Sequence, residues 1–295
     1  MKRKIWGVAV LVVFAVSLIG GIISAEILKK RPKEEPVTPV ETTTESPEKE
    51  SKKEAEETTT AQPEETATKS PEKKTDIDPT KPMVALTYDD GPYEGKTDVI
   101  LDILEQYPGA AVTFFELGDR MLKYPELIKR EEECGSEVGA HSYAHKRLTE
   151  LTAAQIAEDF EKQQAVFQEI LGHDMTVYRP PYGKMNADVH KQIKAPLIIW
   201  TVDTLDWKYD NAKKLVDVFK KEGAGGMLDG KVVLMHSTKD TTVEAMKTVI
   251  PWLIEEGYQL VTVTDLARYG YDTEMEAGKD YGYRFFKGLG AAAGE

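Results

Sequence analysis

The stretch Met83-Val84-Ala85-Leu86-Thr87-Tyr88-Asp89-Asp90-Gly91-Pro92 decides the fold, because an apolar run leads directly into two carboxylates and a Gly-Pro break. Short apolar runs that end in turn residues predict buried strands, and the first of them covers residues 83–87. Similar runs follow at residues 111–116, 137–140, 175–178, 197–201, 232–235 and 259–263. The quoted segment is therefore the first strand of a predicted sheet.

Longer segments between these runs have the spacing of amphipathic helices. Apolar residues recur at helical intervals in residues 97–107, 152–171 and 245–256. Alternation of strands and helices is typical of a mainly parallel sheet. About seven such units without an evident break predict an α/β fold of the closed or nearly closed, TIM-like barrel kind. An open doubly wound sheet is the alternative.

Composition excludes several classes of protein. The chain has 295 residues and a formal net charge of -13, whereas a nucleic-acid-binding surface requires a basic face. We therefore expect no nucleic-acid partner. The single cysteine, Cys134, cannot form an internal disulfide.

The N-terminus has the pattern of a membrane anchor. Lys2, Arg3 and Lys4 precede an uncharged apolar run over residues 5–25, which is about long enough to cross a bilayer as a helix. The positive cluster predicts a cytoplasmic N-terminus and an extracellular remainder. Residues 1–27 are thus interpreted as a cytoplasmic tip and transmembrane anchor. A signal peptide cleaved near Ala25, which would release a secreted protein, is the alternative.

The rest of the chain divides by composition. Residues 28–80 are rich in Glu, Lys, Thr and Pro and contain no aromatic residue, so they predict a disordered extracellular linker. Residues 81–270 form the predicted folded domain. Residues 271–295 are interpreted as a C-terminal tail that is partly packed and then frayed.

Five polar clusters each follow a predicted strand, and the carboxyl ends of barrel strands converge on one face. The first cluster is Asp89-Asp90, whose neighbouring side chains point to different sides of an extended backbone. One carboxylate can therefore bind a metal while the other acts as a base. An Asx-type turn is the structural alternative.

The second cluster carries two histidines, His141 and His145, at a spacing that lets both bind one metal. Neutral imidazoles with a carboxylate suit Zn²⁺, while Co²⁺, Fe²⁺ and Ni²⁺ are open alternatives. Three protein ligands would leave free coordination positions, as catalytic sites require.

The other three clusters are Arg179-Pro180-Pro181-Tyr182-Gly183, Asp203-Thr204-Leu205-Asp206-Trp207 and Leu234-Met235-His236-Ser237. Arginine can clamp a carboxylate, and the prolines stiffen a loop that presents backbone N–H groups. The second of these offers a carboxylate beside a large apolar plane, and the third a histidine at a strand exit. Each cluster also has a purely structural alternative. The first could be a rigid surface turn, the second could hold a core tryptophan, and the third could hold a histidine whose hydrogen bonds are satisfied at the barrel rim.

Taken in this order, the five clusters resemble the motifs of the polysaccharide deacetylase family, also called the NodB homology domain or carbohydrate esterase family 4. The resemblance covers about residues 82–269 and implies a distorted (β/α) barrel of seven or eight units. The metal ligands that it implies are Asp90, His141 and His145. The catalytic residues that it implies are Asp89 as base, Arg179 as its orienting partner, the Tyr182 N–H as oxyanion donor, Asp206 as partner of the catalytic histidine, and His236 as general acid. Tyr182, Trp207 and Leu234 are implied to bind substrate.

The resemblance also implies a reaction. It predicts a hydrolase of linear amides that removes N-acetyl groups from a polysaccharide and releases acetate, with Zn²⁺ or another divalent metal such as Co²⁺ as cofactor. Peptidoglycan N-acetylglucosamine is the leading substrate, because the predicted tether places a monomeric domain beside the cell's own wall. Chitooligosaccharides, acetylated xylan and a non-catalytic role in glycan binding remain alternatives.

Overall fold

The computed structural model of the protein describes residues 76–288. The strands of this part are β1 (Met83–Gly91), β2 (Thr113–Glu116), β3 (Glu137–Ala140), β4 (Leu197–Ile198), β5 (Val202–Asp203), β6 (Lys231–His236), β7 (Gln259–Leu260) and β8 (Asp280–Tyr281). All of their pairings are parallel. The predicted parallel α/β class is therefore confirmed.

The strands follow one curved path. The hydrogen-bonded order is β3-β2-β1-β6-β5, with β7 also beside β1. Beyond β3, isolated parallel bridges join Ala140 to Tyr178 and Tyr178 to Leu197 in β4, which pairs with β8. Only residues 199–201 connect β4 to β5, so a short piece of chain ties the two ends of the path together. This is the connectivity of a distorted barrel.

Helices occupy the connections. They are α1 (Thr97–Leu104), α2 (Gly118–Lys123), α3 (Pro125–Glu133), α4 (Ala153–Leu171), α5 (Ala187–Gln192), α6 (Ala212–Gly223), α7 (Asp240–Glu255) and α8 (Val263–Asp265). Short 3-10 turns cover Leu148–Glu150, Pro181–Gly183 and Ala224–Gly226, and a π-helical turn covers Leu266–Gly270. The longest helix, α4, begins where the sequence indicates, because Thr152 and Gln155 form a capping box.

Alternate residues of β1 face different parts of the core. Val84, Leu86 and Tyr88 pack with α1 and α7. Met83 and Ala85 instead pack with buried residues of other strands in a second cluster. Because side chains alternate along a strand, Thr87 and Asp89 continue the face of Met83 and Ala85. The first catalytic candidate therefore lies at the end of a fully buried strand face.

Some predicted elements differ from the structure. Residues 175–178 form no strand and make only two isolated bridges, both at Tyr178, because Pro180 and Pro181 follow shortly after and offer no backbone N–H to extend a ladder. Only the first two residues of predicted strand 197–201 form a strand, β4, and β5 begins beyond its end at Val202, since the chain leaves one end of the path there and enters the other. Helix α7 begins at Asp240 rather than at Ala245, because its first turn is polar and hides the apolar periodicity.

The ends of the described part contact the domain. Ile77 packs against the core, and the Asp78 N–H donates to Oε1 of Gln259 over 2.8 Å. Near the other end, Phe286 is fully buried and Tyr281 lies in β8. The predicted anchor and nearly all of the predicted linker lie outside the described residues. Within residues 76–288, no helix is both long enough and apolar enough to cross a membrane.

Candidate active site

The ten predicted site residues all lie at the carboxyl ends of strands or in the segments that follow them. Asp89 and Asp90 end β1, and His236 ends β6 beside them, with Asp89 and His236 paired in register. His141 follows β3 directly, and Asp206 follows β5. The parallel sheet thus brings four of the five sequence clusters to one edge, and the two bridges at Tyr178 bring the fifth.

Asp89 is held by a buried arginine. The Arg179 Nη1 donates to Asp89 Oδ1 over 2.6 Å and to Thr87 Oγ1 over 2.7 Å, and Arg179 is completely buried. Its guanidinium also lies 4.0 Å from the centre of the Phe115 ring. Burial lowers the pKa of Arg179 from its ordinary value, while the charge of Asp89 acts in the opposite direction. Asp89 is therefore a fixed carboxylate whose second oxygen remains available to the site.

That second oxygen faces a cluster of three potential metal ligands. Asp89 Oδ2 lies 3.6 Å from His141 Nε2. One ligand atom from each of Asp90, His141 and His145 lies within 4.8 Å of the others. Asp90 Oδ1 is 3.6 Å from His141 Nε2 and 3.3 Å from His145 Nε2. Two ligands of a tetrahedral zinc ion, each about 2.0–2.1 Å from it, would be roughly 3.3–3.4 Å apart.

The protonation of His141 is suited to metal binding. Its Nδ1 lies 2.7 Å from the Arg179 carbonyl oxygen, which can only accept, so Nδ1 carries the proton and Nε2 keeps its lone pair. Burial lowers the pKa of His141 and thus favours the neutral ring. Asp90 Oδ1 is buried and has no hydrogen-bond partner among residues 76–288. An unpaired carboxylate oxygen facing imidazole nitrogens fits a cation, so the residues present fit the predicted metal.

The loop after Tyr178 offers a backbone donor beside this cluster. Tyr182 lies in a 3-10 turn but has a positive φ of 61°. Within residues 76–288 its N–H donates to no protein group, so it is free for a ligand. The Tyr182 ring is 4.7 Å from the His145 ring and is half exposed, with the Arg147 guanidinium 4.2 Å from the ring centre.

On the β6 side, His236 is held by Asp206. His236 Nδ1 lies 2.8 Å from Asp206 Oδ1, and the His236 backbone N–H donates to Oδ2 over 2.7 Å. Burial lowers the pKa of His236, but the hydrogen bond and the charge of Asp206 outweigh it and raise that pKa above the ordinary value. This arrangement leaves Nε2 as the ring nitrogen that can meet a ligand, with the imidazolium form favoured.

The remaining predicted residues line the same edge. Trp207 is 53% exposed, and its Nε1 donates to Asp203 Oδ1 over 3.3 Å. Leu234 is buried and lies two residues before His236 on β6, so both side chains belong to one face of the strand. The Trp207 indole is therefore open to solvent at this edge, while Leu234 is enclosed in the strand.

Backbone strain is concentrated here. Of the six non-glycine residues with positive φ in residues 76–288, five belong to the sequence clusters that we singled out: Asp90, Ser142, His145, Tyr182 and Leu205. Such conformations each cost on the order of 1–3 kcal/mol and persist only where the surroundings enforce them. Their grouping at one edge is a further indication of a functional site.

Sequence reasoning assigned no role to several residues that contact the site. Thr87 accepts from Arg179, Asp203 holds Trp207, and Thr242 donates to Asp206 Oδ2 over 2.6 Å. The spacing of Thr87, two residues before Asp89 on one strand, was an available signal. Thr242 lies on a helix and had no such signal.

A pair of buried acids was also missed. Glu116 and Glu131 are both 0% exposed, and the Glu116 carboxylate lies against Gly91, where a Cβ would be 2.7 Å from Oε2. Burial raises the pKa of both carboxyl groups, and for Glu131 the charge of Glu116 raises it further. Burial therefore favours the protonated form of both carboxyl groups.

Fold and site together define a class: a parallel α/β protein in which two histidines and one carboxylate that could hold a metal ion lie beside a buried carboxylate–arginine pair. The profile of the family described as polysaccharide deacetylase matches residues 76–198. The solved structure of "T48 deacetylase with substrate" is 35% identical, has a TM-score of 0.63, and is covered over 99% of its length by 70% of this chain. The chain belongs to the polysaccharide deacetylase family.

Two curated relatives have comparable similarity. Peptidoglycan-N-acetylmuramic acid deacetylase PdaC of Bacillus subtilis is 40% identical over 190 residues, which are 64% of this chain and 40% of PdaC. Peptidoglycan-N-acetylglucosamine deacetylase PgdA of Listeria monocytogenes is 39% identical over 203 residues, which are 68% of this chain and 41% of PgdA. The chain thus spans about two fifths of the length of these relatives.

Proposed function

We propose that this protein is a metal-dependent hydrolase that removes N-acetyl groups from N-acetylglucosamine units of peptidoglycan and releases acetate. One observation carries the proposal. Asp89 Oδ1 is bound by Arg179, while its Oδ2 faces the three potential metal ligands, with His141 Nε2 at 3.6 Å. A buried, oriented carboxylate next to a metal centre is the arrangement that activation of a hydrolytic water requires.

Asp90, His141 and His145 are the residues that would hold the metal. Zn²⁺ suits this ligand set, and Co²⁺ is the alternative. When bound, the ion would polarise the acetyl carbonyl and make a water more acidic. The other steps depend on the chain's own groups.

Asp89 accepts a proton from the attacking water, because its free oxygen points to the metal centre while Arg179 keeps the carboxylate from rotating. As the acetyl carbon becomes tetrahedral, negative charge develops on its oxygen. The free Tyr182 N–H donates to that oxygen, and a fixed backbone donor of this kind is worth about 10²–10³ in rate.

His236 then protonates the leaving amine. The Asp206 carboxylate favours the imidazolium form that this step needs, and it keeps the ring oriented through Nδ1. Leu234 and Trp207 are the apolar groups that we assign to the acetyl group and the sugar ring, respectively.

The names of the relatives support peptidoglycan as the substrate class, but they differ in the sugar. One relative is named for N-acetylmuramic acid and the other for N-acetylglucosamine, at nearly equal identity to this chain. N-acetylmuramic acid is accordingly the second candidate.

The decisive experiment incubates purified protein with intact peptidoglycan, chitin oligomers and acetylated xylan and measures released acetate. Hydrolysed peptidoglycan is then analysed for glucosamine and muramic acid that lack the acetyl group. We expect acetate from peptidoglycan, free amines on glucosamine, loss of activity with a chelator, and recovery on addition of Zn²⁺ or Co²⁺. Asp89→Asn is the inactive control.

Muramic acid as the deacetylated sugar would favour the second candidate. Acetate release from chitin oligomers or from xylan, but not from peptidoglycan, would show that one of those glycans is the substrate. Binding without acetate release would indicate a glycan-binding protein.

We further propose that the domain is tethered outside the cell. Residues 1–27 would form the cytoplasmic tip and single-pass anchor, residues 28–80 the linker, residues 81–270 the catalytic domain, and residues 271–295 its tail. The support is the apolar run at residues 5–25 after three basic residues. Fractionation of whole cells, followed by N-terminal sequencing, tests this proposal. An intact N-terminus in the membrane fraction is expected, whereas a cleaved protein in the medium would show that residues 5–25 are part of a signal peptide.

We also propose that the protein is a monomer, which light scattering of the purified protein tests.

A further inference from the structure

Asp206 makes more contacts than its partnership with His236 requires. Its side chain is completely buried. Oδ1 meets His236 Nδ1 at 2.8 Å, and Oδ2 accepts from the His236 backbone N–H at 2.7 Å. A third donor, the Thr242 hydroxyl, also donates to Oδ2, over 2.6 Å.

The direction of this third hydrogen bond is unambiguous. Carboxylate oxygens of an ionised aspartate only accept, so the Thr242 hydroxyl must be the donor. A bond of this kind to a charged group is among the stronger hydrogen bonds in proteins, and 2.6 Å is within its short range. Thr242 is itself 0% exposed, so water does not compete for the carboxylate there.

Thr242 lies on a different element of the fold from Asp206 and from His236. Thr242 lies in the first turn of α7, where its N–H bonds to the Lys239 carbonyl. Asp206 lies in the loop after β5, which contains the strained residue Leu205 with a φ of 58°. A loop carboxylate that is otherwise held only by His236 is therefore also fastened to a helix of sixteen residues, Asp240–Glu255.

We propose that Thr242 is a positioning residue for the reaction: its hydroxyl locks the Asp206 carboxylate so that Oδ1 stays aligned with His236 Nδ1. The inference rests on the proposed function, in which His236 protonates the leaving amine. Thr242 touches neither the substrate nor the metal ligands in this account. It acts through Asp206 on the orientation and tautomer of His236.

The test compares Thr242→Val, which removes the hydroxyl at nearly constant volume, with Thr242→Ser, which keeps it. We expect kcat for acetate release to fall roughly tenfold to a hundredfold in Thr242→Val with little change in KM, because misalignment of a catalytic group affects the chemical step. Thr242→Ser should recover most of the lost activity. Thr241→Val is the matched control on the same helical turn and should behave as the unaltered protein.

A readout that does not need activity accompanies the kinetics. The His236 Nδ1–H proton should give a protected low-field NMR signal in the unaltered protein and in Thr242→Ser, and it should exchange with solvent faster in Thr242→Val. Equal exchange and equal kcat in all variants would overturn the proposal. If the unaltered protein releases no acetate from any glycan, the proposed function fails, while the exchange comparison still decides the role of Thr242.

Folding is controlled for separately. Should Thr242→Val not fold, Thr242→Ala takes its place in both measurements. In the unaltered protein, moreover, the Thr242 hydroxyl proton should itself be protected from exchange. Rapid exchange of that proton would contradict the hydrogen bond on which the proposal depends.

Discussion

The Nη1 atom of Arg179 lies 2.6 Å from Oδ1 of Asp89, and the two side chains are 0% and 4% exposed. A charge pair this deeply buried is costly to break, because removal of one partner leaves an uncompensated charge. Arg179 also contacts Thr87 and the Phe115 ring, so the position of Asp89 is set by three different segments of the chain.

Asp89→Asn should abolish turnover and leave metal binding intact. The amide keeps the shape of the carboxylate but cannot accept a proton from water, so we expect kcat to fall about 10²–10⁴-fold. Acetate release and metal content, measured on the same sample, check this. Asp188→Asn, on exposed α5, is the control. Turnover close to normal in Asp89→Asn would refute the role of Asp89 as the base.

His141→Ala should lose metal and activity together. The variant removes a buried imidazole whose Nε2 is directed at Asp90, and two ligands hold a dication far less firmly than three. We expect the metal content after dialysis, determined by mass spectrometry, to drop from one ion per chain to substoichiometric levels. His190→Ala, whose ring bonds to the Gly278 carbonyl, is the control. Full occupancy in His141→Ala would reject the ligand assignment.

The alkaline limb of the activity profile should report His236. The general acid must be protonated, so kcat falls as pH rises through the pKa of His236, which Asp206 raises above the ordinary value. Asp206→Asn removes the negative charge that favours the imidazolium. The limb should then move to lower pH, with kcat at its maximum about tenfold or more below that of the unaltered protein. A profile whose alkaline limb does not move would assign that limb to another group.

Glu131→Gln should stabilise the fold at neutral pH. The raised pKa values of Glu116 and Glu131 mean that the folded state binds protons more tightly than the unfolded state. Their contribution is therefore fully present below the unfolded pKa and is lost as pH rises through the folded pKa. Glutamine needs no proton, so at pH 7 to 8 the unfolding free energy should rise by on the order of 1 kcal/mol, or about 2–4 °C in Tm.

Thermal unfolding of Glu131→Gln at several pH values checks this. The gain should disappear below about pH 4, where the two carboxyl groups are protonated in the unfolded state as well. Glu169→Gln on the exposed side of α4 is the control. A variant that is less stable than the unaltered protein at pH 8 would contradict the raised pKa values of the two carboxyl groups.

Local patterns were sufficient for much of the fold. Strand β3 lies where its apolar run predicts, and the capping residues Thr152 and Gln155 begin α4 as expected. Helix α6 was missed in the sequence, although Ala212, Leu215, Val216 and Phe219 follow helical spacing and pack on the core.

The sequence by itself determined the parallel α/β class and the set of polar residues at strand ends, because both follow from local periodicity and from the rule that parallel strands share a carboxyl edge. Only the tertiary structure decided which of those groups touch. Arg179 meets Thr87 across 92 residues of sequence, and Thr242 meets Asp206 across 36. No local pattern encodes such pairs, because they arise when separate strands and helices pack and exclude water from the groups between them.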